Sequence, residues 1–347
     1  MVIIRPVRRE DSDQVVELAT MAGFGLTSLP KDPDLLRRRI DQSRRNFEFG
    51  AERPGGELYL FVMEDLDSGK VVGTSCIVSK VGGFEPFYAY RLQKSIHESV
   101  MLNIRKEIPT LHLVIEHSGP CEIGGLWLRP EYRRHGNGRL LSLFRFLFMA
   151  DHSERFEPAI IAEMRGVVDS EGHSPFWEAL GRHFFDIEFP KADYLSVKDK
   201  RFIADLMPTC PIYVSLLPEP AQRVIGEVHD ETRPALQMLL NEGFEFTGMV
   251  DIFEAGPIVS CRLNETRIVR ESRRGPVGEV TDESPESVPH IITSFQDDFR
   301  ACVGQIAHLP NDRLRISSKV ARALGVKAGD QVRVGPLRPS TPPPGTA

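Results

Sequence analysis

The amino-acid sequence predicts an α/β fold built on a mixed, twisted sheet. Two observations predict it. Strand-like apolar runs alternate with helix-like runs through the later part of the chain, the order expected of an α/β protein. An apolar strand at 122–128 also runs straight into a glycine-rich turn and an apolar-faced helix. The 347 residues, 41% apolar and 27% charged, are ordinary for a soluble globular chain. A chain of this length can bury a core without disulfides or metals.

The elements follow in order. Residues 2–7 read as a strand, and Asp11 or Ser12 can cap a helix carrying Val15, Val16, Leu18 and Ala19. A Gly-rich turn at 23–30 leads to a charged helix around Leu35 to Ile40. Apolar runs at 57–64 and 70–78, separated by Asp65-Leu66-Asp67-Ser68-Gly69, read as a hairpin. Residues 81–110 are rich in aromatics and read as an irregular insertion. Strands are expected at 111–114, 122–128 and 159–163, with a helix carrying Leu140, Leu141, Phe144, Leu147 and Phe148 before the third. A short helix is expected at 175–180, with Ser174 as its cap, and a strand at 183–189. Further on, 212–216 and 244–253 read as strands, and 220–226 and 233–241 as helices. Residues 271–289 are polar and read as a linker. The tail reads as short strands near 291–305, 313–316 and 331–334, with a helix near 318–324. Residues 336–347 hold five prolines and are expected to be disordered. The expected divisions are a first domain at 1–195, a second lobe at 196–270, the linker at 271–289, a small β-rich tail at 290–335 and the Pro-rich end at 336–347.

Several function classes are disfavoured at this stage. No run of eighteen apolar residues suggests a membrane span, and the N-terminus lacks a signal peptide's pattern, so a cytoplasmic location is expected. Five scattered cysteines without a CxxC pair argue for reduced thiols and against a disulfide framework or a zinc site. A net charge of −6 shows no basic excess for nucleic acid. No HExxH or His/Cys cluster points to a metal.

The strongest local chemistry lies at Arg133-x-x-Gly136-x-Gly138, where a helix begins. A helix N-terminus leaves N–H groups unpaired and carries partial positive charge, so it binds anions. The glycines let a phosphate approach the main chain. Arg133, Arg134, His135 and Arg139 add positive potential. Together they suit a pyrophosphate such as that of coenzyme A, although a glycine loop before a buried helix fits the turn alone.

Strand, turn and helix together resemble the acyl-CoA-binding core of the GNAT acyltransferase superfamily, as does Ile4-Arg5-Pro6-Val7 with Asp11 and Leu18 downstream. Over residues 1 to about 265 the sequence is similar, more closely, to the arginine N-succinyltransferase family. The resembling segments include Gly25-Leu26-Thr27-Ser28-Leu29-Pro30, Ala162-Glu163-Met164-Arg165-Gly166 and Ser174-Pro175-Phe176-Trp177. Others are Phe202-Ile203-Ala204-Asp205-Leu206-Met207-Pro208, Val224-Ile225-Gly226-Glu227-Val228-His229 and Asp251-Ile252-Phe253-Glu254-Ala255-Gly256-Pro257.

That resemblance implies a GNAT-type sheet with a second GNAT-like lobe, succinyl-CoA as co-substrate with no tightly bound cofactor, and L-arginine as acceptor. It implies His229 as the active-site residue. It also implies a carrier site made by Leu126 and Leu128 on the strand and by Arg133, Arg134, His135, Gly136, Asn137 and Gly138 in the turn. Thr27, Ser28, Glu163 and Arg165 are candidate acceptor contacts. Some members of the family occur as paired, similar chains, so a homo-oligomer or a paired chain is an expected partner state. The pair Gly124-Gly125 departs from what the family leads one to expect on that strand.

The residues support His229 separately. An attacking amine must lose a proton, and a histidine near its usual pKa of about 6.5 can accept it at neutral pH. His229 sits in a short loop beside Asp230 and Glu231, although a capping histidine would look the same. A guanidinium acceptor requires a carboxylate partner, which the sequence does not single out. Ornithine or another amino acid as acceptor, and a non-catalytic subunit of a paired enzyme, stay open as alternatives.

Overall fold

The computed structural model describes residues 1–23, 26–295 and 298–339. Gly25, in the expected turn, and residues 340–347, in the expected Pro-rich end, lie outside them. The fold is mixed α/β, as the element order predicts. The chain begins with β1 (Val2–Pro6), α1 (Ser12–Met21), α2 (Pro33–Phe49), β2 (Leu58–Asp65) and β3 (Lys70–Val78). A long hairpin of β4 (Phe87–Ser99) and β5 (Ile104–Glu116) follows, then β6 (Cys121–Leu128), α3 (Asn137–Asp151) and β7 (Ala159–Glu163). Four short helices come next: α4 (Pro175–Ala179), α5 (Gly181–Phe185), α6 (Phe189–Lys198) and α7 (Arg201–Leu206). β8 (Ile212–Tyr213), α8 (Glu219–Val224), α9 (Arg233–Asn241), β9 (Glu245–Asp251), β10 (Pro257–Arg262) and α10 (Arg267–Glu271) precede the tail. The tail holds β11 (Arg273–Thr281), β12 (His290–Ser294), β13 (Ala301–Gly304), β14 (Ala307–His308), β15 (Leu314–Ser317), α11 (Ser318–Leu324) and β16 (Gln331–Pro336).

Among the described residues all sixteen strands form one sheet, in the order β14-β15-β11-β16-β12-β13-β1-β2-β3-β6-β7-β10-β9-β4-β5-β8. Neighbours are antiparallel except β6–β7 and β11–β15, which are parallel. The β6–α3–β7 crossover therefore lies near the centre. α3 buries Leu140, Leu141, Phe144, Leu147 and Phe148 in the largest core, with Phe144 and Phe148 edge-on to Phe61. A second core gathers α4 to α8 around Trp177, against Tyr90 and Val250.

Five expectations change. Residues 81–110 are mostly strand: the hairpin pairs in register from Phe87↔Glu116 to Ser99↔Ile104. Its outer half buries no face, with Val100 and Met101 about nine-tenths exposed, so the period-2 signal that marks a half-buried strand is missing there. Residues 183–189 form no strand: 183–185 end α5, 186–188 are a bend, and Phe189 begins α6. Phe189, Ala192 and Ser196 are buried at helical spacing, and Asp186 turns the chain with φ 52°. The expected linker 271–289 contains β11, whose Gly275 and Val277 are buried while its arginines face outward. Between β16 and β15, main-chain bonds hold this polar strand in place. The strand expected at 212–216 stops at Tyr213, and Val214–Leu216 form a 3₁₀ turn. At the Pro-rich end, Pro336 closes β16 and Leu337 is buried.

Local expectations also resolve. Asp11 uses its carboxylate not to cap α1 but to pair with Arg5 at 2.7 and 2.8 Å. Ser174 does cap α4, accepting the Trp177 N–H at 3.3 Å, and Trp177 is buried.

Candidate functional site

The site begins where two parallel strands part. β6 and β7 pair only at Cys121↔Ile160 and Glu122↔Ile161. Beyond Glu122 the two strands share no further partners, and the edge of β6 opens onto a cavity of about 1190 Å³. On its other edge β6 slips register against β3 between Thr74 and Cys76. Such a bulge re-aims the strand and its peptide groups. The Gly124-Gly125 pair forms it: Gly125 has φ 59°, and a Cβ there would lie 3.0 Å from Cys76 Sγ. The Gly125 N–H donates to Ser28 Oγ at 2.8 Å, and Thr74 Oγ1 donates to the Gly125 carbonyl at 2.9 Å. Arg145, buried on α3, donates to the Gly124 carbonyl at 3.3 Å, and burial lowers its pKa to about 10. Leu126 and Leu128 line the cavity beside this bulge.

The turn after β6 supplies an anion-binding end. His135 and Gly136 take positive φ, 54° and 84°, and Gly136 caps α3. Among the described residues the Gly138 and Arg139 N–H groups have no main-chain acceptor, as expected in a first helical turn. Beyond its chain neighbours and its own helix backbone, no atom of the described residues lies within 4 Å of where a Gly138 Cβ would sit. Arg133, Arg134, His135, Gly136, Gly138 and Arg139 all line the cavity. Asn137 does not; its side-chain amide donates to the Tyr132 carbonyl at 3.0 Å and braces the turn. Arg338, from the segment after β16, also lines the cavity, and no local motif marked it.

The Thr27 and Ser28 side of the cavity is held from behind. Arg39 on α2 donates to the Thr27 carbonyl at 2.8 Å, and Ser28 is engaged by Gly125. Both residues line the cavity, but Ser28 is spent on positioning β6.

The opposite wall is acidic. Glu122, Glu163, Asp251 and Glu254 line it, with Lys200 and Arg165 nearby. Burial raises the pKa of all four carboxyls. Glu122 and Asp251 push Glu163 further up, and Asp251 does the same to Glu254. Lys200 pulls Glu122, Glu163 and Asp251 the other way. Sequence reasoning named only Glu163 and Arg165 here. The segment 251–257 carried a signal, since it is one of the resembling stretches.

His229 stands at the border of this wall. Its main-chain N–H donates to the Arg165 carbonyl at 2.9 Å. Its Nδ1 accepts the Glu231 N–H at 3.2 Å, capping the turn at 230–232. Burial and then the Arg165 charge lower its pKa, so the neutral imidazole is favoured at pH 7. Its neighbours Glu231 and Thr232 line the cavity, but the His229 side chain itself is turned to its own loop rather than to the lining. Arg165 lies within 3.7 Å of Glu231 and packs against Gly23.

Known proteins resemble this chain over almost its full length. The family model for the arginine N-succinyltransferase beta subunit matches residues 2–268, and that for its C-terminal domain matches residues 273–336. The arginine N-succinyltransferase of Yersinia pestis is 44% identical over 342 residues, covering 96% of this chain and 97% of its own. That of Citrobacter koseri is 42% identical over 339 residues, with the same coverage. Among solved structures, the arginine/ornithine succinyltransferase subunit AI of Pseudomonas aeruginosa superposes with a TM-score of 0.89 at 36% identity, over 98% of this chain and 99% of that one.

Proposed function

This chain belongs to the arginine N-succinyltransferase beta subunit family, and on that premise we propose that it transfers a succinyl group from succinyl-CoA to the α-amino group of L-arginine. The products are N2-succinylarginine and CoA, which makes the reaction a step of arginine breakdown. The observation that carries this reading is a single cavity that joins the free N-terminus of α3, the bulged edge of β6 and an acidic wall. A diphosphate fits the first, a thioester arm the second and a cationic amino acid the third.

In the proposed reaction the neutral amine attacks the thioester carbon, a C–N bond forms, and the C–S bond breaks. A β6 peptide N–H near Leu126 takes the charge that develops on the thioester oxygen. His229 accepts the amine proton and returns one to the departing thiolate. Its depressed pKa keeps it unprotonated for the first step. To serve, its ring turns from the Glu231 N–H toward the cavity that Glu231 and Thr232 already line. Holding both substrates in one cavity removes much of the bimolecular entropy cost.

No described helix is long and apolar enough to cross a membrane. Five free cysteines, three of them buried, support the cytoplasm as the proposed compartment. Pairing with a second, similar chain is part of the proposal.

The test is thiol release by the purified chain with succinyl-CoA or acetyl-CoA, in the presence of arginine or ornithine. Release that depends on succinyl-CoA and arginine supports the reading. A preference for ornithine moves the acceptor, and no release from the chain alone or with its partner removes the activity.

A further inference from the structure

We propose that Glu163, Asp251 and Glu254 form the seat for the guanidinium of the acceptor, and so set its side-chain specificity. The proposal rests on the transfer reading above and extends it to the recognition of the acceptor.

Strand register brings the carboxylates together. Glu122 pairs with Ile161, so Glu163, two residues on, shares its face. Glu163 pairs with Ile258, which pairs with Met249, and Asp251 lies two residues beyond on that face again. Asp251 Oδ1 then accepts the N–H groups of Phe253 and Glu254 at 2.7 and 2.8 Å. That turn lays Glu254 against Gly166, whose N–H donates to Glu254 Oε1 at 2.8 Å. Gly166 allows the approach: a Cβ there would sit 2.5 Å from the Glu254 carbonyl oxygen.

A second observation points to an occupant. Glu254 is only 6% exposed and lines the cavity, yet among the described residues its Oε2 has no hydrogen-bond partner. A buried acceptor left unpaired is costly, and in native proteins such an atom often marks a function. Among the described residues, none of the four carboxylates makes an ion pair. The charges that face them, Lys200, Arg39, Arg165 and the carboxylate Asp193, act only at longer range. No three His, Cys, Asp or Glu side chains among the described residues stand close enough to hold a metal. A spread organic cation suits this wall better than an ion.

The chemistry of transfer selects which cation. The amine to be acylated must be unprotonated when it attacks, so the charge held by the wall belongs to the other end of the acceptor. A guanidinium presents five N–H donors in a planar fork that two carboxylates can share. Burial and mutual repulsion hold Glu163 and Glu254 well above the usual carboxylate range. A cation seated among them favours their ionised form.

The experiment compares L-arginine with L-citrulline, its uncharged urea counterpart, by calorimetry and turnover in wild type, Glu163→Gln and Asp251→Asn. Wild type should prefer arginine by about 10- to 100-fold, the size of a charge-assisted hydrogen-bond set. Each variant should lose about tenfold or more of that preference, with arginine weakened far more than citrulline. The preference in wild type should also fall as pH drops, because protonated carboxyls hold no cation. Both variants keeping the full preference, or losing arginine and citrulline equally, would overturn the proposal. If wild type discriminates by binding but transfers nothing, the transfer reading fails and the seat stands. If it transfers to arginine and citrulline alike, the seat fails and the transfer reading stands.

Discussion

The Ser28 hydroxyl accepts the Gly125 N–H at 2.8 Å, and this one bond ties the loop before α2 to the bulge of β6. With Thr74 on the Gly125 carbonyl, it fixes both peptide groups around a residue at φ 59°. A non-glycine residue in that region costs about 1–2 kcal/mol, and here its Cβ would also press on Cys76. Gly125→Ala should therefore lower stability by at least about 1 kcal/mol in urea. Ser28→Ala, which removes one hydrogen bond of about 1 kcal/mol, should raise KM for the acyl donor more than for the acceptor. Equal effects of Ser28→Ala on both KM values would mean the bond does not position the donor strand.

Gly138→Ala separates folding from carrier binding. The position is in the first turn of α3, and its Cβ would point into open space. Alanine favours a helix over glycine by up to about 1 kcal/mol, so the variant should melt no lower than wild type. In the proposed carrier site the same methyl would stand between the diphosphate and the first-turn N–H groups. CoA affinity should fall by about tenfold, on the scale of one charge-assisted hydrogen bond. Undiminished CoA binding by a stable Gly138→Ala protein would place the diphosphate elsewhere.

How far the site was legible depends on how local its parts are. The anion-binding turn spans residues 133–139 and was readable because a strand end, two glycines and a helix start are adjacent in sequence. The acidic wall was not, because Glu122, Glu163, Asp251 and Glu254 meet only through the pairing of β6, β7, β10 and β9. The glycine pair at 124–125 stood out, and its reason, a bulge pinned by Ser28 and Thr74, needed a register to be seen. In the fold, the arm of β4 and β5 was missed where its residues face solvent on both sides. The helices at 181–198 were missed because Phe185-Asp186-Ile187-Glu188-Phe189 alternates apolar and acidic residues as a strand would. Polar β11 was missed because main-chain pairing, not apolar side chains, holds it.

His229→Ala should lower kcat by about 10²- to 10⁴-fold, the usual contribution of proton transfer, while CoA affinity is unchanged. The pH profile adds a sign. Burial and Arg165 depress the folded pKa below 6.5, so the neutral base persists as pH falls past that value. The acid limb of kcat/KM should lie below pH 6.5, and Arg165→Met should move it up. A limb that ignores Arg165, or wild-type turnover by His229→Ala, would assign the base to another group.

The boundary between the two matched family segments is sealed by a buried ion pair, and its removal should be asymmetric. Arg267 on α10 donates Nε and Nη2 to Glu242 Oε1 at 3.0 and 2.6 Å, and Nη1 to the Pro336 carbonyl of β16 at 3.1 Å. Glu242 Oε2 accepts the Ile268 N–H at 2.8 Å, and both side chains are almost fully buried. One guanidinium thus holds the end of α9 and the last strand of the tail together. Glu242→Ala removes the buried partner and leaves that charge only the part-exposed Glu271 on Nη1 at 3.1 Å, so it should cost about 3 kcal/mol, the low end for a broken buried pair. The double variant Glu242→Leu, Arg267→Met removes both charges and keeps apolar volume, and such replacements are often close to neutral. Urea unfolding should therefore rank wild type and the double variant together, with Glu242→Ala well below. A double variant as unstable as the single one would show that the Pro336 and Ile268 contacts, rather than an orphaned charge, account for the loss.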